Sequence, residues 1–570
     1  MKKLAMLTIK GAIALVPKVV RNKLKKNHKL TELYSRSLQR SGLFYGVPSK
    51  KRQQVLYANY LNIQEKVLSA LEGADSLGAP LYIIVLGNEG TERTLKSLAS
   101  LNIQNAKVVL VSANYLKEEI TTVSCIRDAI DYLSDDGYAF FINSGDTLLP
   151  ESLGLLMSMK VEKGITYCDT DFKAMKGQRK SPHFLSAWNP DLQLTSAYIS
   201  TGVMIDNVTL KQYVAHSTTI SALVCEIWFS NKEVKIAHIP RTLIHRHKES
   251  NVDLKRLEDI GKVLKTYSDA VPELDERQGV NHIHWPIAFE PLVSLIVPTK
   301  NGKALVKACI ESILNKTTYQ NFEILLIDNG SDEEDSLDYF KHLDCHPKIR
   351  VLYYPGAFNF SAINNFGAQH VSENCSIIGL INNDIEVISP DWLTNMVSHA
   401  LREDVGCVGA KLLYSDGRIQ HSGVILGYGG GAGHAHKHFP RLHPGYMNRL
   451  IATQNFSAVT AACLLVKRSL FSEVGGLNEK DLAVAFNDVD FCLRVMELGV
   501  RNVYCAEAEL YHHESVSRGL DHAPEKAARF KKELSYLQSK WGKYISNDPA
   551  YSPNLTLRRE NFSTKTKEEF

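Results

Sequence analysis

What most constrains this chain is a recurring succession of short, wholly apolar runs, each ended by a polar or acidic turn. In the first half the runs are LYIIVLG (Leu81–Gly87), AKVVLVSA (Ala106–Ala113) and Tyr138–Asn143, the last ending in Ser144-Gly145-Asp146. In the second half LVSLIVPT (Leu292–Thr299), FEILLIDNGS (Phe322–Ser331), IRVLYYPG (Ile349–Gly356) and IIGLI (Ile377–Ile381) repeat the pattern and end in Asn382-Asn383-Asp384. Short apolar runs without polar alternation are strands buried on both faces. Stretches of helical spacing lie between them, and that combination predicts parallel sheets with helical crossovers. An α/β fold, duplicated in tandem, is the economical reading.

At 570 residues the chain is too long for a single core. A basic arm is expected over 1–52, a helical connector over 53–76 and a first α/β domain over 77–270. A linker with two prolines follows at 271–290, then a second α/β domain over 291–545 and a polar tail over 546–570, which wraps the surface or frays. The last helix is expected over Pro524–Gly542, with Asp521 as its cap.

Net charge is +4, yet residues 1–51 carry ten Lys and three Arg against the single Glu32. The apolar positions of residues 1–30 are broken by Lys10 and followed by Arg21, Lys23, Lys25 and Lys26, too interrupted to span a bilayer. They suit a helix lying on an anionic membrane surface, with a solvated leader as the alternative. No nucleic-acid module accompanies the basic charge, so nucleic acid is not an expected partner. The ten cysteines are scattered without CxxC pairs, which suits a reducing cytoplasm, with the protein peripheral on the cytoplasmic face of the inner membrane.

In open α/β sheets ligands bind beyond the carboxyl ends of the strands. Asp328 and Asp384 both fall at such ends. Asp328 suits hydrogen bonds from a base or ribose, and Asp384 suits a divalent cation clamped between phosphates; a plain turn is the competing explanation for each. AFNDVDFCLRVMELG puts Asp488 and Asp490 at a helix start, where helix capping competes with a general-base role. YHHESVSRG offers His512 and His513 in a polar loop, surface decoration unless they join Asp384 around a metal.

Taken in order, the blocks VSLIVPTKNG, FEILLIDNGS, YPGAFNFSAINN, LINNDIEVISPDWL, VGAKLLYSDGRIQHSGVILG, SAVTAACLLVKRSLFSEVGGLNE, AFNDVDFCLR and ELYHHESVSRGLD resemble the family 2 glycosyltransferases. These have the GT-A, Rossmann-like nucleotide-diphospho-sugar transferase fold, and the resemblance is to rhamnosyltransferase-like enzymes of bacterial O-antigen and other surface polysaccharide synthesis. It implies that Thr299 and Asn301 line the nucleotide edge and that Asp328 contacts the base or ribose. Asn382-Asn383-Asp384 stands where the family has Asp-x-Asp, so Asp384 carries most of the binding of Mg²⁺ or Mn²⁺. Asp488 deprotonates the acceptor hydroxyl, with Asn487 in place of the family's Glu, and His512 or His513 helps hold metal and diphosphate. The implied donor is a dTDP- or UDP-linked sugar and the acceptor a lipid-linked oligosaccharide, joined with inversion.

GVILGYGGGAGHAHKHFP (Gly423–Pro440) reads as a mobile acceptor loop, with Gly430, Gly431, His434 and His436 as its contacts. His434, His436 and His438 also raise zinc, although alternate positions on one face supply no fourth ligand. The first half resembles the same fold in degenerate form. Ser144-Gly145-Asp146 replaces the metal acids and SALVCEIWFS (Ser221–Ser230) lacks the base pair, so this half is expected to brace, bind acceptor or orient the protein. The alternative is a second site built on Asp146, Asp169 and Asp171. A nucleotidyltransferase and a non-catalytic glycan-binding scaffold are the rival functions, the first disfavoured because PTKNGK is a poor phosphate loop.

Overall fold

The apolar runs form the centres of two large sheets. The computed structural model describes residues 47–69, 79–101, 106–112, 120–174, 177–250, 252–513 and 524–570, with Thr8, Val16 and Pro17. The rest of the basic arm before residue 47 and the cap expected at Asp521 lie outside the described residues.

The first half holds β1 (Leu81–Leu86), β2 (Ala106–Val111), β3 (Thr121–Val123), β4 (Tyr138–Asn143), β5 (Thr147–Leu148), β6 (Gly164–Lys173), β7 (Arg179–His183), β8 (Val203–Asp206) and β9 (Lys235–Arg246). They join in the order β3-β2-β1-β4-β8-β6-β9-β5, with β7 beside β6. Next come β10 (Val271–Asp275) and β11 (Val280–His284). The second sheet takes β12 (Leu292–Thr299), β13 (Phe322–Asp328), β14 (Ile349–Tyr353), β15 (Cys375–Ile381), β16 (Ile385–Val387), β17 (Val405–Leu413) and β18 (Ile419–His421). After a hairpin of β19 (Val424–Leu426) and β20 (Ala432–His434) it adds β21 (Gln454–Phe456), β22 (Cys463–Lys467) and β23 (Arg501–His512). Its order is β14-β13-β12-β15-β22-β17-β23-β16, with β18 beside β17 and β21 beside β23.

With β19–β21 set aside, the two orders are the same strand for strand. The tandem α/β architecture is therefore a true duplication, and the Gly-rich hairpin belongs to an insertion carried by the second half. In each sheet the central strands run parallel, as their continuous burial requires. The strand after the fourth (β8 or β22) runs antiparallel to it.

Segment 271–290 is not a bare linker. β10 and β11 pair antiparallel from Val271↔His284 to Asp275↔Val280, and Val280 and Ile283 are buried among residues of the first half. The connecting helix α1 runs Lys50–Ser69, so the expected boundary at 52/53 falls inside it. Gln64 Nε2 donates to the Thr242 carbonyl at 3.0 Å and fixes that helix to β9. The polar tail does not fray: beyond the last helix it buries Tyr551, Leu555 and Phe562.

The halves are joined by buried polar contacts. Asn189 Nδ2 donates to the Asn455 carbonyl at 2.8 Å while Asn189 Oδ1 accepts from the Asn455 N–H at 3.0 Å. Arg402 Nη1 lies 2.5 Å from Asp191 Oδ1, with both side chains almost fully buried. Burial alone would raise the Asp191 carboxyl, but Arg402 and Arg501 more than offset this and hold it well below the ordinary carboxylate range. All ten cysteines are unpaired thiols and eight of them are buried. Among the described residues no helix is long and apolar enough to cross a membrane.

Candidate active site

Strand order decides which residues meet. Because β13, β12 and β15 are adjacent, their carboxyl ends set Asp328, Thr299 and the Asn382–Asp384 triplet side by side. Thr299 and Asp328 are register partners, and Asn383 Nδ2 donates to Thr299 Oγ1 at 3.0 Å. Asp328 is buried, and its Oδ1 accepts from the Ser331 N–H at 2.9 Å and the Ser331 hydroxyl at 2.6 Å. Asn301, in the left-handed region at φ 55°, spends its side chain on protein: Oδ1 accepts from the N–H groups of Asp332 and Glu333 at 2.9 and 3.1 Å. It shapes the turn by tying the ends of β12 and β13 together.

Asp384 faces an imidazole because β16 pairs antiparallel with β23 in a register that sets Ile385 opposite His512. His512 Nε2 lies 3.2 Å from Asp384 Oδ1 and 3.1 Å from Asn382 Nδ2, while its buried Nδ1 has no hydrogen-bond partner among the described residues. His512 is the final residue of a strand and does not lie in the polar loop expected from the sequence. Successive residues of a strand point to opposite faces, so His513 turns the other way. Its Nδ1 lies 2.7 Å from Ser415 Oγ and its Nε2 3.3 Å from Glu386, and only its backbone N–H reaches Asp384, at the carbonyl. The structure therefore brings His512 to the acid and leaves the His513 ring outside.

Asp488 opens the helix Asn487–Met496 (α2), entered through Phe486 at φ 60°. Its Oδ2 accepts from the Ala461 N–H at 3.2 Å, and the next residue, Ala462, accepts from the Asn382 N–H at 3.0 Å. Desolvation raises the Asp488 carboxyl above its ordinary value, against hydrogen bonds from Ala461, Thr460 and Val489. Such a carboxylate is a stronger base than an exposed one. Two residues on, Asp490 has a different task. Fully buried, it takes Arg494 Nε at 2.8 Å, Lys540 Nζ at 3.0 Å and Trp541 Nε1 at 2.8 Å, locking α2 to the last helix, Pro524–Ser546 (α3).

Sequence reasoning missed His421. Its Nε2 accepts from the Thr460 N–H at 3.2 Å and its Nδ1 lies 2.9 Å from the Ala410 carbonyl, so it fixes the turn that holds Asp488. Burial lowers its pKa to about 4 and keeps the ring neutral. Nothing local in RIQHSG marks it among the chain's twenty histidines.

The stretch expected to be a mobile acceptor loop contains a hairpin of β19 and β20. Gly430 is exposed at its tip with φ 80°, and a Cβ on buried Gly431 would lie 2.7 Å from Leu534. His434 is partly buried, with Nδ1 2.8 Å from the Gln420 carbonyl and its ring edge-on to His421. His436, expected as an acceptor contact, lies in the interior. Fully buried, it stacks on Phe562 at 4.1 Å and its Nε2 accepts from the Tyr446 N–H. His438 stacks on Tyr414, so the three alternating rings diverge.

Two protein donors, a carboxylate oxygen and an imidazole nitrogen 3.2 Å apart, have the separation of neighbouring ligands on one small cation, which is about 3 Å for bonds of about 2.1 Å. Among the described residues no group of three or more His, Cys, Asp or Glu side chains is arranged to hold a metal ion by itself. The remaining ligands would thus have to come from phosphate oxygens or water, the usual arrangement for Mg²⁺ at diphosphates. The donor set fits a cation shared with its substrate.

Residues 294–475 match the sequence profile described as glycosyl transferase family 2. Those residues form a family 2 glycosyltransferase domain. Over 438 residues the chain is 32% identical to the O-antigen biosynthesis protein RfbC of Myxococcus xanthus, covering 73% of this chain and 34% of that protein. Over 447 residues it is 39% identical to the uncharacterized protein y4gI of Sinorhizobium fredii, covering 75% of this chain and 49% of that protein. The chain thus spans half or less of these two relatives. A shorter likeness, 38% over 79 residues, covers 14% of this chain and 25% of the N-acetylglucosaminyl-diphospho-decaprenol L-rhamnosyltransferase of Mycobacterium tuberculosis. Each half adopts a mixed α/β fold with the same strand order, and the matched residues lie in the half that holds the strand-end acid Asp384 and its imidazole, His512.

The first half spends the equivalent residues differently. Asp146 precedes β5 as Asp384 precedes β16, but it is buried and accepts from Thr201 Oγ1 at 2.7 Å and the His247 N–H at 2.8 Å. The His247 ring lies so close over Gly145 that a Cβ there would meet it at 2.4 Å. His245, the counterpart of His512, turns to Asp171 at 2.5 Å. Asp171 also takes Arg179 and Tyr57, and Asp169 takes His238, the Leu185 N–H and Asn554.

Proposed function

We propose that the chain is an inverting, metal-dependent glycosyltransferase that moves a sugar from a nucleotide diphosphate to a lipid-linked surface polysaccharide precursor. The observation that supports this is the suspension of Asn382 and Asp488 from the single turn Thr460–Ala462, through the Ala462 carbonyl and the Ala461 N–H. Asp328 and Thr299 form the nucleotide edge, with Asn301 shaping its turn. Asn382 and Asn383 orient the triplet through His512 and Thr299. Asp384 and His512 would hold Mg²⁺ or Mn²⁺. When bound, that cation supplies the positive charge that stabilises the departing diphosphate. Asp488 accepts the proton of the attacking acceptor hydroxyl as the hydroxyl oxygen forms its bond to the anomeric carbon. A single displacement inverts that carbon, and no carboxylate serves as nucleophile.

The short likeness to the Mycobacterium tuberculosis rhamnosyltransferase supports rhamnose as the transferred sugar and a polyprenyl diphosphate sugar as acceptor. The buried, internally paired acids of the first half support a bracing role for residues 77–270. Residues 1–30 would hold the enzyme on the cytoplasmic face of the inner membrane. Purified full-length protein is incubated with a panel of dTDP- and UDP-sugars, with and without EDTA, and nucleotide diphosphate release is measured. Release from one donor that stops on chelation is expected. Silence with every donor would sink the transferase reading of the whole chain, and turnover indifferent to EDTA would sink the metal.

A further inference from the structure

A cavity of about 310 Å³ opens beside the base, enclosed by the tip of the Gly-rich hairpin, α3 and residues 557–560 of the tail. Phe486, two residues before Asp488, lines it together with Phe530, Leu534, Leu557, Arg558 and Arg559. We infer that this cavity takes an isoprenoid diphosphate, the lipid end of the acceptor, with its apolar chain against the phenylalanine and leucine side chains and its diphosphate on the two arginines. This rests on the acceptor class proposed above and adds where that acceptor is held.

The lining chemistry selects the ligand. A bare sugar is recognised by directional side-chain amides, carboxylates and hydroxyls, whereas this lining is largely aromatic and aliphatic with two arginines, of which Arg558 is mostly exposed with its Nε 3.8 Å from Glu569. The Tyr428 hydroxyl is directed at Tyr551 at 3.2 Å, and Glu560 is the one acid in the lining. Phe530 is 46% exposed, unusual for so large an apolar side chain, and its ring sits 5.3 Å from that of Phe486. Phe486 itself holds φ 60°, a conformation an aromatic residue keeps only where its surroundings impose it.

The cavity is also rigidly coupled to the base. Glu533 of α3 accepts from the N–H groups of Val484 and Ala485 at 2.9 and 3.2 Å, the peptides that lead into Phe486 and Asp488. Gln538 donates to the Gly430 carbonyl at 2.8 Å, and Trp541 to Asp490. A ligand seated between hairpin, helix and tail would therefore be positioned relative to Asp488 by packed structure, not by a loop that must first order.

Binding of farnesyl diphosphate to the full-length protein by calorimetry, with saturating UDP present, tests this without turnover. Inorganic pyrophosphate, farnesol, and vesicles of phosphatidylcholine with phosphatidylglycerol form the comparison arms. Farnesyl diphosphate is expected to bind at least about tenfold tighter than pyrophosphate or farnesol, and R558Q/R559Q to weaken it about tenfold. F530A, at an exposed position that folding tolerates, should weaken it as well, while R558K/R559K should retain most of it. Binding that ignores both the arginine and the phenylalanine changes, that is displaced by UDP, or that vesicles without diphosphate reproduce would overturn the assignment. Donor hydrolysis on the same samples reads the transferase proposal separately, so either can fail alone.

Discussion

Asn382 and Asp488 hang from consecutive residues of one turn, the first donating to the Ala462 carbonyl at 3.0 Å and the second accepting from the Ala461 N–H at 3.2 Å. They are 106 positions apart in the chain. The end of a parallel strand and the start of a helix thus share one backbone anchor. His421 sets the turn in place through Thr460.

Asp488→Asn keeps the shape and removes the base. Transfer should fall by about 10² to 10⁴ while nucleotide-sugar binding, measured by calorimetry, stays near that of the unaltered protein. Because burial raises this carboxyl, the acid limb of kcat should lie above the ordinary Asp value of about 3.9, with activity rising as pH increases through it. A limb at or below that value would contradict the assignment.

His512→Ala and His513→Ala should part company. The first removes the imidazole that faces Asp384, so the Mn²⁺ concentration needed for half-maximal activity should rise about 10- to 100-fold. The second alters a ring held by Ser415 and Glu386, and the metal titration should barely move.

Asp146→Asn retains the size of a side chain that accepts from Thr201 and His247. If residues 77–270 serve as a brace, transfer per folded molecule should stay within about twofold. Loss of activity with an unchanged melting temperature would instead argue for a working first-half site.

Arg402→Ala strips the counter-charge from buried Asp191 at the junction of the halves. A loss of about 3–5 kcal/mol is expected, read as a lowered denaturation midpoint. Asp191→Asn with Arg402→Met should recover much of it, since removing both charges leaves neither unpaired.

Acid should weaken the fold through histidines buried in the neutral form. Burial, with Arg402 nearby, lowers His399 to about 4, and burial beside Arg449 holds His436 well below its ordinary value. The unfolded chain then binds more protons than the folded one as pH falls below about 6.5, so stability drops over that range and the His399 contribution is fully lost near pH 4. Melting temperature against pH checks this, and His399→Gln should flatten the slope.

Much of this was legible in the chain. Buried parallel strands need uninterrupted apolar runs, so Leu292–Thr299, Phe322–Asp328 and Cys375–Ile381 announce themselves, with Asp328 and Asp384 at strand ends, while the strand order that makes them neighbours of Thr299 is not local. The segment 271–290 misled because its prolines mask a short hairpin whose burial comes from a partner elsewhere in the fold. His436 misled because the glycines around it suggest mobility, while Phe562, from the far end of the chain, fixes it in place.

The amino-acid order alone determined the duplicated α/β plan and the kinds of side chain available to the site, since hydrophobic period and strand-end chemistry are local properties. Which side chain does which job was decided in three dimensions. Strand register brought His512 to Asp384 and turned His513 away, and helix packing buried Asp490 under Trp541 while leaving Asp488 at the cleft. Adjacent identical residues are chemically equal until a sheet or helix assigns them opposite faces, and that assignment depends on neighbours a hundred residues away.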